Sequence, residues 1–282
     1  MTRRSGFALF LLSALLLVIA IAPAWADPAN RPADIDRILR RGTLVVAMTQ
    51  ADAPPFHMMT ETGLAGVDVE LAQGLARALG VDLVFDRTAR SYDDVVDIVV
   101  RGQADIAISK LSRTLLRARS VSFSSPYLTL RHGMAFNRVW LARETREHDL
   151  SEIIRGFDGR LGVVAKTSYV EYARRLFPRA EIVEFPRWDE AVAALVRGDV
   201  ATLYRDEFEI RRLVIEQPEL ALHLKTAFLT DTRDHLCMAV NPRDVQLRQL
   251  ADIYIDDMNP KLTVETVLGR LGKAAPKPGD AP

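Results

Sequence analysis

Arg117 carries the planar guanidinium best placed in this chain to take hold of an anion. It lies in Ala104–Tyr127, ADIAISKLSRTLLRARSVSFSSPY, where a short apolar run expected to be a buried strand gives way to a polar turn. Ser112 and Thr114 in that turn offer hydroxyls and free backbone N–H groups at an expected helix start. A guanidinium one turn later can grip a carboxylate by two parallel hydrogen bonds. Alone, an arginine on an amphipathic turn is more often a surface charge, so its meaning rests on its neighbours. Asp206 follows a strand-like run and is placed to cap the next helix. Thr167 and Ser168 open a helix with Glu171 three residues after Ser168, a capping-box spacing that would occupy their hydroxyls. Tyr92 starts a helix, where core packing is the simple expectation.

Other chemistries lack their residues. His57, His132, His148, His223 and His235 are scattered without a His-x-His or His-Glu-x-x-His pattern, so no metal site is expected. There is no Gly-x-Ser-x-Gly elbow and no glycine loop to cradle phosphate, and no cofactor is expected. The lone Cys237 lies in the apolar run LCMAV and reads as a buried, inert thiol.

The elements that must position these residues alternate between strand and helix, the pattern of an α/β fold with mostly parallel sheets. A helix over 33–40, a strand over 43–48, a helix over 66–79 ending at Gly80, a strand over 81–85, a helix over 91–101 and a strand over 104–109 form the first set. The turn bearing Ser112 then lies beyond a strand's carboxyl end, the edge where open α/β sheets bind ligands. A second set follows: strand 161–164, helix 169–176, strand 181–184, helix 189–197, strand 200–204 and helix 208–215, then a strand over 236–240 and helices over 245–257 and 264–271.

Residues 1–26 read as a secretory signal: Arg3 and Arg4, an apolar core from Phe7 to Ala22, and Ala24-Trp25-Ala26 as a small-x-small cleavage site. The expected product starts at Asp27, free in solution in the periplasm. Without Arg3 and Arg4 the 37 basic residues fall to 35 against 37 acidic ones, about −2 overall, which offers nucleic acid or anionic lipid no general attraction. About 256 residues exceed one ordinary core, which favours two lobes.

Several segments in order resemble the periplasmic solute-binding proteins of polar amino-acid ABC transporters, bacterial extracellular solute-binding protein family 3. They are RRGTLVVAMTQADAPPF from Arg40, GLAGVDVELAQGLARALGVDLVF from Gly63, Tyr92-Asp93, VVRGQADIAIS, S-x-T-x-x-R with FSSPY, LGVVAKTSYVEYARR from Leu161, and EAVAALVRGDVATLYRD ending at Asp206. The resemblance implies the two-lobed type II periplasmic-binding-protein fold, each lobe a mostly parallel sheet flanked by helices, with a hinge between lobes. Lobe one would hold 33–127 plus 235–271, lobe two 134–228, the hinge 128–133 and 229–234, and 272–282 a disordered tail. By the same resemblance Arg117 grips a ligand α-carboxylate with Ser112, Thr167 and Ser168, Asp206 receives the α-ammonium, and Tyr92 lines the side-chain pocket. The implied partners are a small-molecule ligand, an amino acid or small carboxylate, and the membrane permease of an ABC transporter, with the binding protein a monomer and not an enzyme.

The chain departs from that pattern in places that bear on the ligand. Ala53 stands where an aromatic commonly precedes Pro-Pro-Phe. Lys110 replaces a small residue, and Lys166 a glycine, so both could aim an ammonium into the cleft; Arg205 falls where a side-chain reader is often placed. If two of the three face inward, an acidic amino acid or small di-acid becomes the better ligand. Two other readings share the scaffold: a dehydratase acting on arogenate or prephenate, and a ligand-sensing or accessory module without a transporter.

Overall fold

The computed structural model describes residues 33–258 and 262–274, so the signal-like segment and the residues after 274 lie outside the described residues. In chain order the elements are α1 (Ala33–Arg41), β1 (Thr43–Thr49), the hairpin β2 (Met58–Thr60) and β3 (Gly63–Ala65), α2 (Val67–Leu79), β4 (Asp82–Ala89), α3 (Tyr92–Val100), β5 (Ile106–Ala107) and β6 (Ser122–Leu130). Then come β7 (His132–Asn137), α4 (Arg138–Glu144), α5 (Leu150–Arg155), β8 (Arg160–Val164), α6 (Ser168–Leu176), β9 (Glu181–Phe185), α7 (Trp188–Arg197), β10 (Thr202–Asp206), α8 (Glu207–Glu216) and β11 (Leu224–Phe228). The chain closes with β12 (Asp234–Val240), α9 (Val245–Met258) and α10 (Val264–Ala274).

Two five-stranded sheets carry the fold, ordered β4-β1-β5-β12-β6 and β11-β7-β10-β8-β9. Each is mixed. Its parallel half comes from the β-helix-β units read in the sequence, and its antiparallel half from strands beside the inter-sheet passages, β12 and β6 in one sheet and β7, β10 and β11 in the other. The chain passes between sheets twice, at Arg131 and over 229–233, and the passages are neighbours: Asp234 pairs with Leu130, and the Leu229 N–H donates to the His132 carbonyl at 2.9 Å.

Apolar periodicity explains the helices. Leu71, Leu75 and Ala76 of α2 bury against Leu44, Val46 and Ile106 of the first sheet, and Gly80 ends the helix in a left-handed turn that returns its N–H to Ala76 and Arg77. In the second sheet Phe136 stacks on Trp140 at 6.1 Å between centroids, and Phe157 packs edge-on to both. Cys237 is fully buried, and that burial pushes its thiol up to about 12, so it behaves as packing.

The expected strand at 104–109 shortens to β5, and the expected helix after Ser112 reduces to a 3₁₀ turn at Arg117–Arg119. The reason is local. Arg113 and Cys237 donate N–H groups across to His235 and Leu111, and Ser112 forms a bridge with Leu236, so this turn spends its backbone on β12 rather than on a helix.

Candidate ligand-binding cleft

A network under Lys110 sets the first-lobe side of the cleft. Asp68, fully buried in the first turn of α2, accepts the Lys110 backbone N–H at 2.6 Å, the Tyr127 hydroxyl at 2.9 Å and His57 Nδ1 at 3.3 Å. That anchor holds Lys110 in a left-handed backbone conformation, φ 46°, a strain of about 1 kcal/mol for a residue with a Cβ. The side chain then crosses to the second lobe, where Nζ lies 3.1 Å from Asp206 Oδ2 and 2.8 Å from Glu209 Oε1, above the face of Phe56. Burial alone would make this ammonium easier to deprotonate. Asp206 and then Glu209 outweigh it and raise the group above the ordinary lysine range, so Lys110 stays charged.

Arg117, 7% exposed, follows at the start of the 3₁₀ turn and donates its N–H to the Thr114 hydroxyl at 3.2 Å. Its Nε and one Nη2 hydrogen go to Asp93 at 3.2 and 3.0 Å, and one Nη1 hydrogen goes to the Ser112 carbonyl at 3.1 Å. A guanidinium has five N–H donors, so one hydrogen remains on each terminal nitrogen.

The second lobe contributes the ends of β10 and α6. Asp206 caps α8 by accepting the Glu209 N–H at 3.1 Å while it also receives Lys110, so the capping and charge-pairing roles coexist. Arg205, 9% exposed, lies over the Tyr169 ring at 5.5 Å; Nε is 3.7 Å from Asp206 Oδ2, and that buried atom has no hydrogen-bond partner. Thr167 is the α6 N-cap residue, but its hydroxyl donates to the Val164 carbonyl at 2.7 Å, and Ser168 donates to Ser112 Oγ across the cleft at 2.9 Å. The capping-box expectation for this pair therefore fails: both hydroxyls go elsewhere, and in the first turn of α6 the Val170 N–H donates to the Thr167 carbonyl at 3.2 Å.

Asp234 closes the constellation and was not singled out from the sequence. It accepts Ser112 Oγ at 3.0 Å, the Tyr169 hydroxyl at 3.0 Å and the Tyr172 hydroxyl at 3.5 Å. Burial, then the nearby Asp206 charge, pushes its carboxyl up to about 6. Tyr92, Lys110, Ser112, Arg117, Thr167, Ser168, Arg205 and Asp206 line one cavity, narrowed to ≈ 10 Å³, with Asp234, Tyr169 and Leu236. Lys166 does not join them. It also has a left-handed backbone, φ 57°, and its exposed side chain lines, with Tyr92, Arg205 and Trp188, the broad groove outside that cavity. Glu209 and Asp68 were missed as well. Each is a helix residue whose partner is far along the chain, and no local spacing marks it.

Residues 44–261 match the profile of the bacterial extracellular solute-binding proteins, family 3. The chain belongs to this family. Within it, the chain is 32% identical to the cyclohexadienyl dehydratase of Pseudomonas aeruginosa over 86% of its own length and 85% of that protein. It is 30% identical to membrane-bound lytic murein transglycosylase F 1 of Alkalilimnicola ehrlichii over 93% of its length, yet spans about half, 54%, of that relative. Solved family folds are similar too. An amino acid ABC transporter substrate-binding protein of Streptococcus pneumoniae bound to L-arginine superposes with a TM-score of 0.66 at 23% identity, covering 85% of this chain and 98% of that one. An ancestral amino acid-binding protein, a precursor of cyclohexadienyl dehydratase, gives 0.63 at 24% identity, with coverage of 85% and 97%. The family fold is the two-lobed type II periplasmic-binding fold, seen here as the two mixed sheets.

Proposed function

We propose that this protein captures an amino acid or related small carboxylate between its two lobes, outside the cytoplasm, and delivers it to the permease of an ABC transporter without bond chemistry. The observation that carries this reading is Arg117, with an N–H left on each terminal nitrogen, lining a cavity whose other wall comes from α6 and β10. The paired passages at 128–133 and 229–234 act as the hinge, joining residues 33–127 plus 235–271 to residues 134–228, and ligand contacts from both sides favour closure. The 1–26 segment directs export, and the protein works as a monomer. Native mass spectrometry of protein purified from the periplasm tests this: a co-purifying small carboxylate, displaced when Arg117 is replaced, is expected. A cavity that takes no carboxylate in a calorimetric screen would overturn it.

One observation favours an enzyme instead. Asp234 is a buried carboxyl near pKa 6, hydrogen-bonded by a serine and two tyrosines, in a chain similar over most of its length to a dehydratase. Turnover of arogenate or prephenate, lost in Asp234→Asn, would establish that reading.

A further inference from the structure

Counting donors and acceptors around the cavity reaches further than the ligand class proposed above, on which this step rests. The lining carboxylates are already committed. Asp206 holds Lys110 and the Glu209 N–H, and Asp234 holds Ser112, Tyr169 and Tyr172. Glu209, behind Asp206, holds Lys110 and also Arg212 at 2.7 Å. A ligand ammonium would need one of these acceptors, and the position beside Asp206 is filled by an ammonium that the chain itself supplies. To enter, a second cation would have to sit against Lys110, which is 4% exposed and kept charged.

The surplus is of donors rather than of charge. Around Lys110 three cations, Lys110, Arg205 and Arg212, meet three carboxylates, Asp206, Glu209 and Glu216, the last 3.2 Å from Arg212. The uncommitted donor is on Arg205, whose buried Nε has no hydrogen-bond partner and whose guanidinium carbon lies 5.5 Å from the Tyr169 ring centroid. Arg117 retains its two terminal N–H groups on the same cavity. Two guanidinium groups with donors to spare, and no lining carboxylate to spare, describe an anion with two acceptor ends.

We infer that the ligand is a short dicarboxylate lacking an amino group, with one carboxylate on Arg117 and the α6 N-terminus, the other on Arg205, and Lys110 standing where a ligand ammonium would otherwise sit.

The test compares acids with their amino counterparts on the unaltered protein. Calorimetric titration with succinate and glutarate, and separately with aspartate and glutamate, is expected to show the amine-free member of each pair binding at least about tenfold tighter. Arg205→Met, checked by thermal unfolding for retained fold, should then bind succinate no better than the mono-acid butyrate. Lys110→Met should narrow or reverse the preference within each pair, because Asp206 becomes free to accept an ammonium. Tighter binding of any amino acid than of its amine-free counterpart in the unaltered protein overturns this inference and leaves the solute-binding reading intact. Absence of binding for all these acids, and for neutral and basic amino acids, overturns both.

Discussion

Asp234 and His132 sit near the passages between the sheets and respond to acid in opposite senses. Asp234 titrates near 6 in the fold against 3.8 unfolded, so the folded state holds the extra proton and stability falls as pH rises from about 4 to about 6. His132, buried among Tyr169, Tyr172 and Tyr204, is pushed down by burial to about 4 from 6.5, so its contribution rises with pH through an overlapping window. Each is worth roughly 3 kcal/mol by the size of its shift, and the two oppose each other. Urea unfolding between pH 4 and 6.5 should therefore climb with pH more steeply for Asp234→Asn than for the unaltered protein; parallel profiles would remove Asp234 from the account. Arg117→Ala should weaken ligand binding by about 2–5 kcal/mol in calorimetry, because it strips a buried charge partner from the ligand carboxylate. Arg117 and Ser112 were legible as a polar turn after an apolar strand and Asp206 as a helix cap after another; that they share a site came from the family resemblance. Asp234 was not: it meets Ser112 from 122 residues away, and only the return of β12 brings them together.

At the scale of elements, the loop before α2 depends on a glycine. Gly66 has φ 128°, and a Cβ there would lie 2.3 Å from the Phe56 carbonyl oxygen, which is committed to the Asp68 N–H at 2.8 Å. Gly66→Ala should cost about 1–3 kcal/mol by thermal or urea unfolding, and should disturb Lys110 as well, since Asp68 holds that residue. A Gly66→Ala protein with wild-type stability would refute the steric argument. Most helices and the parallel strands could be read from their apolar periods. The successive strands β6 and β7, each antiparallel within its own sheet, could not, because FSSPYLTLRHGMAFN runs through both without a turn signal, and which sheet each half joins is decided by β12 and β10. The 3₁₀ turn at Arg117 was misread for a related reason: residues 111–113 just before it give their backbone to β12.

At the scale of the molecule, the lobes touch through Lys110 with Asp206 and Glu209, Ser112 with Ser168, Asp234 with Tyr169, and Phe208 of α8 buried edge-on against Phe56 at 5.2 Å. These contacts enclose the cavity, so they belong to the closed arrangement. Small-angle X-ray scattering should show the radius of gyration falling when ligand is added, and Phe208→Ala should raise it in the ligand-free protein by removing apolar area that only closure buries. Identical scattering with and without ligand, in both proteins, would exclude lobe motion. Of the three tryptophans, Trp25 lies in the signal-like segment, Trp140 is stacked within the second lobe's aromatic cluster, and Trp188 lines the groove at the cavity's mouth. With the 1–26 segment removed as proposed, the emission spectrum would hold two half-buried indoles, one stacked on Phe136 and one at the groove. A change in that emission on adding a carboxylate would gauge occupancy without a label.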